Sequence, residues 1–333
     1  MGLIRLVLTI GEKTMNASSD PSPGGCEVSI VIVNWNTREL LGNCISSIIR
    51  ETTKSYEIIV IDNASTDGTA TMVATEFPEV VLIANTENRG FAAANNQGFL
   101  VATGHKILLL NPDTLILDGA VDRMVDWLDE YPDVGCVGCQ VMKDEETIQL
   151  TCFADLGPLN LALVEFGIQR LMPRHPLIGR PEYGGWDRLS QRDVDVVTGM
   201  FMLVPRRVID QVGGLDEAFF IYAEEADWCR RIRDAGWRCV FTPTARILHL
   251  DGGGKSTKST LQMRTRMYVQ LYKSKMIYLR KHHGRTGAIV GWVILSLSAL
   301  LKFGSNLPRR NSESAVRRQL AFAALRYHLF RKE

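Results

Sequence analysis

The chain has 333 residues, 46% of them hydrophobic, with 38 Lys+Arg against 37 Asp+Glu. This composition suits a globular protein with one large core or two modest ones and excludes a chain disordered throughout. The near-neutral total hides a division: from Gly252 onward there are 17 Lys+Arg and two acids, Glu313 and Glu333, so an acidic part precedes a strongly basic tail of the kind that meets anionic membranes or nucleic acid.

At the start, Met1 to Ile10 carries one Arg in a short apolar run, with no small-residue cleavage site close behind, and makes a poor signal peptide. "TMNASSDPSPGG" then reads as a flexible leader, so residues 1–26 are expected to precede the fold. From Val28 apolar runs alternate with helical patterns. Strands are predicted at Val28–Val33, Glu57–Ile61, Val80–Ala84 and Lys106–Leu110, with helices at Arg38–Arg50, Gly68–Glu76 and Phe91–Ala102. Alternation of this kind predicts βαβ units, a mostly parallel sheet and an α/β fold. Each strand ends in polar residues: Asn34-Trp35-Asn36, Asp62-Asn63, Asn85, and Asn111-Pro112-Asp113. The proline marks where the ladder stops, so Asp113 is delivered to the carboxyl rim, where open α/β sheets bind ligands. No glycine-rich G-x-G-x-x-G turn follows the first strand, and no G-x-x-x-x-G-K-[ST] loop occurs anywhere, which argues against dinucleotide oxidoreductases and nucleoside triphosphatases.

Further along, Cys136 and Cys139 have Cys-x-x-Cys spacing in the strand-like "DVGCVGCQV". Strand packing is the simpler reading, and zinc or redox work the other. The seven cysteines are odd in number and scattered, which fits a reducing compartment better than a disulfide framework. Between Thr151 and Asp195 the chain reads as a loop-rich insertion, a natural acceptor-binding element or lid. In "YAEEADWCRR" a helix places Glu224, Asp227 and Arg231 on one face, where Arg231 can pair with Asp227, while Glu225 points elsewhere.

In the tail, Gly287–Leu301 has no charge and is flanked by Arg285 and Lys302. As a helix it measures roughly 23 Å, short of the ~30 Å hydrocarbon core. Ser312–Lys332 mixes Val316, Leu320, Ala324 and Tyr327 with arginines, as a basic helix on a membrane surface does. Two helices packed on the core, or forming an oligomer interface, are the alternatives. The charges flank an apolar segment and not an aromatic-studded groove, so nucleic acid is not the expected partner.

Seven motifs, "SIVIVNWNT", "IIVIDNASTDGT", "NRGFAAANNQG", "LLLNPDT", "VTGMFMLVPR", "FFIYAEEADWCRRIRDAGW" and "ARILHLDGGGKS", run in order from Val28 to about Ser256. In this order they resemble the family-2 inverting glycosyltransferases with the GT-A fold, particularly the bacterial rhamnosyltransferase-like branch. The resemblance implies a Rossmann-like catalytic domain over 27–256, with a nucleotide-binding half (about 27–114) and an acceptor half (about 115–256). A helical membrane-associating region, 257–333, would follow. It implies that Asp62 accepts a hydrogen bond from the imide N–H of uracil or thymine, with Asn34, Trp35 and Asn63 beside that base. Arg89 would meet phosphate, Asn95 the nucleotide, and Asn111 and Gly199 would line the donor site.

The family's usual D-x-D is here Asn111-Pro112-Asp113, so one carboxylate is an amide. Asp113 would bind Mg²⁺ or Mn²⁺, with His249 as a second ligand. The general base would be Glu225, where the family often has aspartate, with Glu224 as its rival and Asp227 and Arg231 alongside. The activity implied is transfer of a sugar, rhamnose from a dTDP donor first among them, to a lipid-linked glycan or polysaccharide at the cytoplasmic face of the plasma membrane. Transfer of galactofuranose or N-acetylglucosamine from a UDP donor is the runner-up, and an inactive nucleotide-sugar-binding scaffold the reading from another class.

Overall fold

The structure, a computed structural model, describes residues 25–250, 260–308 and 311–329. Most of the leader, the Gly252–Ser256 stretch, the Arg309–Arg310 pair and the final basic residues Arg331 and Lys332 lie outside the described residues. In chain order come β1 (Val28–Asn34), α1 (Arg38–Glu51), β2 (Tyr56–Asp62), α2 (Thr69–Glu76), β3 (Val81–Ala84), α3 (Phe91–Val101) and β4 (Lys106–Leu110), each within two residues of its predicted bounds. Next are β5 (Thr114–Ile116), α4 (Ala120–Glu130), β6 (Val134–Met142), β7 (Cys152–Phe153), α5 (Pro158–Glu165), β8 (Arg192–Asp193), β9 (Val196–Val197) and β10 (Phe201–Pro205). The chain ends with α6 (Arg206–Val212), α7 (Glu224–Asp234), β11 (Arg238–His249), α8 (Leu261–Ser305) and α9 (Ser312–Leu329).

The described residues form two compact units. The first holds residues 25–153, Arg188–Glu217 and 225–250. Its sheet runs β3-β2-β1-β4-β10-β6-β11-β5, with β8 also on β11. Strands β3, β2, β1 and β4 are mutually parallel, whereas β10 is antiparallel to both β4 and β6. β1 and β2 are almost wholly β-branched and buried, as central parallel strands must be. Helix α3 lies so close to them that a Cβ on Gly98 would stand 2.5 Å from Val31 Cγ1, which explains the small residues of "AAANNQG". β11 pairs with β6 on one side and, beyond a break in register, antiparallel with β5, setting His249 opposite Thr114. Asp113 thus sits one residue before a strand that faces His249's strand.

The second unit holds Ala154–Asp187, Ala218–Glu224 and the described residues from 260 onward. Two details add to the sequence reading here. The loop-rich Thr151–Asp195 span contains α5 and two short 3₁₀ turns, at Ile168–Arg170 and Arg180–Glu182. Ala154–Asp187 also packs with the C-terminal helices, although the sequence had placed it within 27–256. The cause is Glu165. Its carboxylate, 4% exposed, meets Lys275 Nζ and Lys302 Nζ at 2.6 Å each and accepts from Ser298 Oγ at 2.8 Å.

Those two lysines also reveal the course of α8. Gly284, at φ 65° and ψ −162°, breaks the helix in a conformation open only to glycine. In a straight helix Leu279 and Gly291 would be about 18 Å apart along the axis. Here a Cβ on Gly291 would lie 2.2 Å from Leu279 Cδ1. The chain therefore folds back at Gly284, and α8 is a helical hairpin whose arms, 261–283 and 285–305, pack closely because Gly287 and Gly291 carry no side chains. The second arm reaches about 32 Å, although its uncharged stretch is still bounded by Arg285 and Lys302.

α9 closes the bundle along the second arm, with Trp292 Nε1 donating to the His328 carbonyl at 3.2 Å and Arg318 to the Asn306 carbonyl at 2.7 Å. Its buried stripe is Ser314, Ala321, Ala324, Leu325 and His328; of the apolar residues read from the sequence, Val316, Leu320 and Tyr327 are only partly covered.

Candidate active site

The carboxyl ends of β1 and β2 are adjacent in register, Asn34 beside Asp62. Both residues are buried, and their side chains have different tasks. Asn34 Nδ2 donates to Ser65 Oγ and Thr69 Oγ1, and its Oδ1 accepts from Thr37, so the amide ties together the two loops that leave these strands. Asn36, at φ 56°, adds a second tie: its Oδ1 accepts from Thr66 N at 2.7 Å. Asp62 Oδ1, by contrast, is buried with no hydrogen-bond partner among the described residues. A buried acceptor of this kind is costly unless something donates to it. Trp35 stands exposed nearby in sequence.

Asn63 is fully engaged. Its Oδ1 accepts from Arg89 N and Asn85 Nδ2, and its Nδ2 donates to Asn88 Oδ1 and to the Gly90 carbonyl. It shapes the turn into α3, and the Arg89 side chain is left exposed. Asn95 turns back on its own helix, donating to the Phe91 carbonyl at 2.9 Å. Asn111 enters through its backbone: its N–H donates to the Met200 carbonyl and its carbonyl accepts from Thr114 Oγ1.

Asp113 and His249 are brought together. Nε2 of the ring lies 3.1 Å from Asp113 Oδ2, and Leu250 N donates to the Asp113 carbonyl at 2.8 Å. The other ring nitrogen, Nδ1, meets Gln149 Oε1 at 2.9 Å, and the Gln149 amide nitrogen points to Met200 Sδ. An amide oxygen only accepts, so Nδ1 carries the proton; Nε2 faces the carboxylate, donating to it when the ring is protonated and able to meet a cation when it is neutral. Asp113 Oδ1, the other oxygen, is buried with no partner among the described residues. A cation held between the carboxylate and a neutral imidazole would meet that oxygen as well. Cis ligands of an octahedral ion at about 2.1 Å lie about 3 Å apart, which matches the observed pair. Gln149 went unnoticed in the sequence because it stands in no motif, at the edge of a segment read as insertion.

Glu225, on the first turn of α7, is partly buried, and its Oε1 accepts from Gly199 N at 3.1 Å. Burial pushes its pKa up, opposed by that backbone N–H. Gly199 has no room for a side chain: a Cβ would stand 3.0 Å from Phe91 Cζ and 3.2 Å from Glu225 Oε1. Glu224 is also buried, but belongs to the other compact unit. Asp227 forms the expected pair with Arg231, Nε to Oδ2 at 2.9 Å. The same guanidinium donates to the carbonyls of Val212 and Gly214 at 2.7 Å each, so the pair fastens α7 to the loop before it. One short segment, Gly199-Met200, thus touches the Glu225 carboxylate, the Asn111 backbone and the amide that holds His249.

A mixed sheet of this order with carboxylates on its rim defines a class. The structure is similar to a mannosyltransferase, PcManGT from Pyrobaculum calidifontis, solved with GDP-Man and Mn²⁺ (TM-score 0.53, 19% identity, 97% of this chain and 92% of that one). It is also similar to GalNAc-T7 solved with UDP, GalNAc and Mn²⁺ (TM-score 0.54, 15% identity, 93% of this chain and 57% of that one). The fold is GT-A. Residues 29–151 match Glycosyl transferase family 2, so the chain carries a family 2 domain and is a glycosyltransferase. Among curated relatives, an N-acetylglucosaminyl-diphospho-decaprenol L-rhamnosyltransferase of Mycobacterium tuberculosis is 26% identical over 299 residues, 84% of this chain and 94% of the relative. The O-antigen biosynthesis protein RfbC of Myxococcus xanthus is 26% identical over 71% of this chain, but over only 18% of its own length.

Proposed function

We propose that the chain is an inverting, divalent-cation-dependent transferase that moves L-rhamnose from a dTDP donor to a polyprenyl diphosphate-linked glycan. The observation that carries the metal-dependent chemistry is the Asp113–His249 pair, a carboxylate and an imidazole 3.1 Å apart, with a buried carboxylate oxygen that has no partner among the described residues. Mg²⁺ or Mn²⁺ held there would neutralise the diphosphate leaving group. Asp62 Oδ1 would accept the imide N–H of the donor's pyrimidine, and Trp35 and the Arg89 side chain are free to close over base and phosphate. Glu225 would take the proton of the acceptor hydroxyl as its oxygen bonds to the anomeric carbon. The bond to the nucleotide diphosphate breaks on the opposite face, with inversion. The backbone N–H of Gly199 holds Glu225 in position, and its raised pKa makes it a better base than a solvent-exposed glutamate.

The sugar and acceptor rest on the mycobacterial relative, whose name couples L-rhamnose with a decaprenyl diphosphate carrying N-acetylglucosamine. A lipid-linked acceptor also suits the bundle. In the arm 285–305 the inward residues are Gly287, Gly291, Leu295, Ser298 and Ala299, whereas Ile289, Val293, Leu297, Leu300 and Leu301 face outward and are exposed. Only 28% of the most apolar window is buried, unlike the core helix of a soluble protein. Small and polar residues inside with aliphatic residues outside is the pattern that lipid selects. With Lys281 and Arg285 at one end and Lys302 at the other, this face would lie in the cytoplasmic leaflet. The test offers dTDP-rhamnose and UDP-sugars with Mg²⁺ or Mn²⁺ and a polyprenyl diphosphate-GlcNAc acceptor. Rhamnosyl product is expected; turnover of a UDP-sugar alone would reassign the donor.

A further inference from the structure

Cys-x-x-Cys spacing suggests that Cys136 and Cys139 act together, yet on β6 three residues along a strand face opposite ways. The fold makes another grouping. Register sets Cys136 beside Cys239 on the parallel neighbour β11, so two thiols share one face of the sheet. Cys229 meets them from α7. The three Sγ atoms lie within 4.8 Å of one another, all fully buried, the one group of its kind among the described residues.

The thiols also have near polar neighbours. Val197 N–H donates to Cys229 Sγ at 3.4 Å. Arg233, one turn further along α7, donates to the Asp195 carbonyl at 3.1 Å and stands 3.7 Å from the Asp195 carboxylate, so its charge is already paired. Buried charge must be matched. Three thiolates held in the core therefore need a cation bound among them.

We propose that Cys136, Cys229 and Cys239 bind one thiophilic d¹⁰ cation, Zn²⁺ or Cu⁺, in the core beneath the active-site helix. All-sulfur donors select soft ions and reject the hard Mg²⁺ or Mn²⁺ suited to Asp113. Cu⁺ needs no fourth ligand, whereas Zn²⁺ does; the Val197 carbonyl, 3.8 Å from Cys229 Sγ, is the near oxygen. Cys229 stands one helical turn after Glu225, and the segment 197–199 supplies a backbone N–H to each. An ion there would clamp α7 to β6 and β11 and so steady the helix turn that presents Glu225 to Gly199.

Full-length protein purified anaerobically without chelator should contain about one equivalent of zinc or copper by elemental analysis, bound ions of this class being tight enough to survive purification. C229S and C239S should fall to background and C139S should keep the metal. Because a lost thiol can also unfold a core, metal-stripped wild-type protein is titrated in parallel. Cd²⁺ should produce thiolate-to-metal absorption saturating near one equivalent and raise Tm, and Mn²⁺ should do neither. Competition between Zn²⁺ and Cu⁺ names the ion. Metal retained in C229S and C239S overturns the proposal. So does wild-type protein that is metal-free as purified and shows no absorption change or Tm rise with Zn²⁺, Cu⁺ or Cd²⁺. Neither result depends on which sugar is transferred.

Discussion

The two compact units differ in what they bury and what they expose. In the first, β1, β2 and β4 put Ile, Val and Leu inside, and rim polar atoms such as Asp62 Oδ1 and Asp113 Oδ1 are the exceptions, buried without a partner among the described residues. In the second, the arm 285–305 puts glycine, serine, Leu295 and the Glu165 charge cluster inside and leaves Ile289, Leu297, Leu300 and Leu301 outside. Water drives the first arrangement, since apolar area leaves it at about 25 cal/mol per Å². The same drive acts in the second on Leu161, Tyr272, Leu279 and Leu295, with close backbone approach at Gly291 and the satisfied Glu165 cluster added to it. The difference lies outside, where the arm 285–305 exposes a row of aliphatic residues.

The largest expected effect falls on the first unit's exceptions. Asp113→Ala should reduce turnover below detection, because it removes the carboxylate at the metal position and leaves the diphosphate charge unopposed; full activity in excess EDTA would refute the metal assignment. Gln149→Leu should weaken apparent Mn²⁺ affinity by about 10- to 100-fold, as loss of an outer partner does. Unchanged affinity would make that contact structural only. Glu225→Gln should keep donor binding and lose roughly 10²- to 10⁴-fold in transfer. The raised pKa of Glu225 works in a stated direction: the base must be ionised, so the acid limb of the kcat/KM profile should lie above the usual glutamate range. If Glu224→Gln is the dead variant instead, the two glutamates exchange roles.

How far these residues could be read in advance differs along the chain. The strand ends were legible because β-branched runs stop at polar residues, and the rim follows from parallel topology. What escaped was contact between distant segments. Gln149 meets His249 across 100 positions, and Cys136 finds Cys229 and Cys239 only once β6, α7 and β11 are packed. Asn34, Asn63 and Asn95 carry the right chemistry for a ligand, but their amides are engaged in shaping loops and a helix, which spacing does not reveal. The hairpin in α8 escaped for another reason. A single Gly284 between charged residues resembles any glycine in a helix, and only Glu165, far upstream, shows that Lys275 and Lys302 converge.

A middle-sized effect tests the second unit's interior. Burial alone would raise the Glu165 pKa, but Lys275 and Lys302 outweigh it and hold it at about 2, against 4.5 ordinarily. A depressed carboxylate stabilises the fold above its unfolded value, and the contribution disappears as pH falls from about 4.5 towards 2. At neutral pH it amounts to about 3 kcal/mol. Glu165→Gln should lower the melting temperature of the full chain in detergent by roughly 6–12 °C at pH 7. Towards pH 2 the difference from wild type should vanish. A variant that melts with wild type throughout would show that the lysines are solvated and the bundle rests on packing alone.

The smallest effect concerns the bundle's outside, and it decides what the exposed face is for. Fully burying a leucine contributes about 1.5–3 kcal/mol, so a half-exposed one such as Leu300, at 53%, has about 1 kcal/mol still to gain in lipid. Leu300→Ser should therefore weaken vesicle binding about five-fold, and adding Leu297→Ser should compound it, the two standing about a turn apart with separate contacts. Cations beside the turn at Gly284, such as Arg280 and Arg285, contribute about 1 kcal/mol each on anionic vesicles, a share that high salt should screen while the apolar share persists. The two substitutions should leave transfer to a water-soluble acceptor analogue unchanged, because Leu297 and Leu300 lie in the unit that lacks Asp62, Asp113 and Glu225. Wild-type protein that ignores vesicles at low salt but dimerises, with Leu300→Ser abolishing the dimer, would assign the aliphatic face to a second copy of the chain and return the inside-out pattern to protein contact.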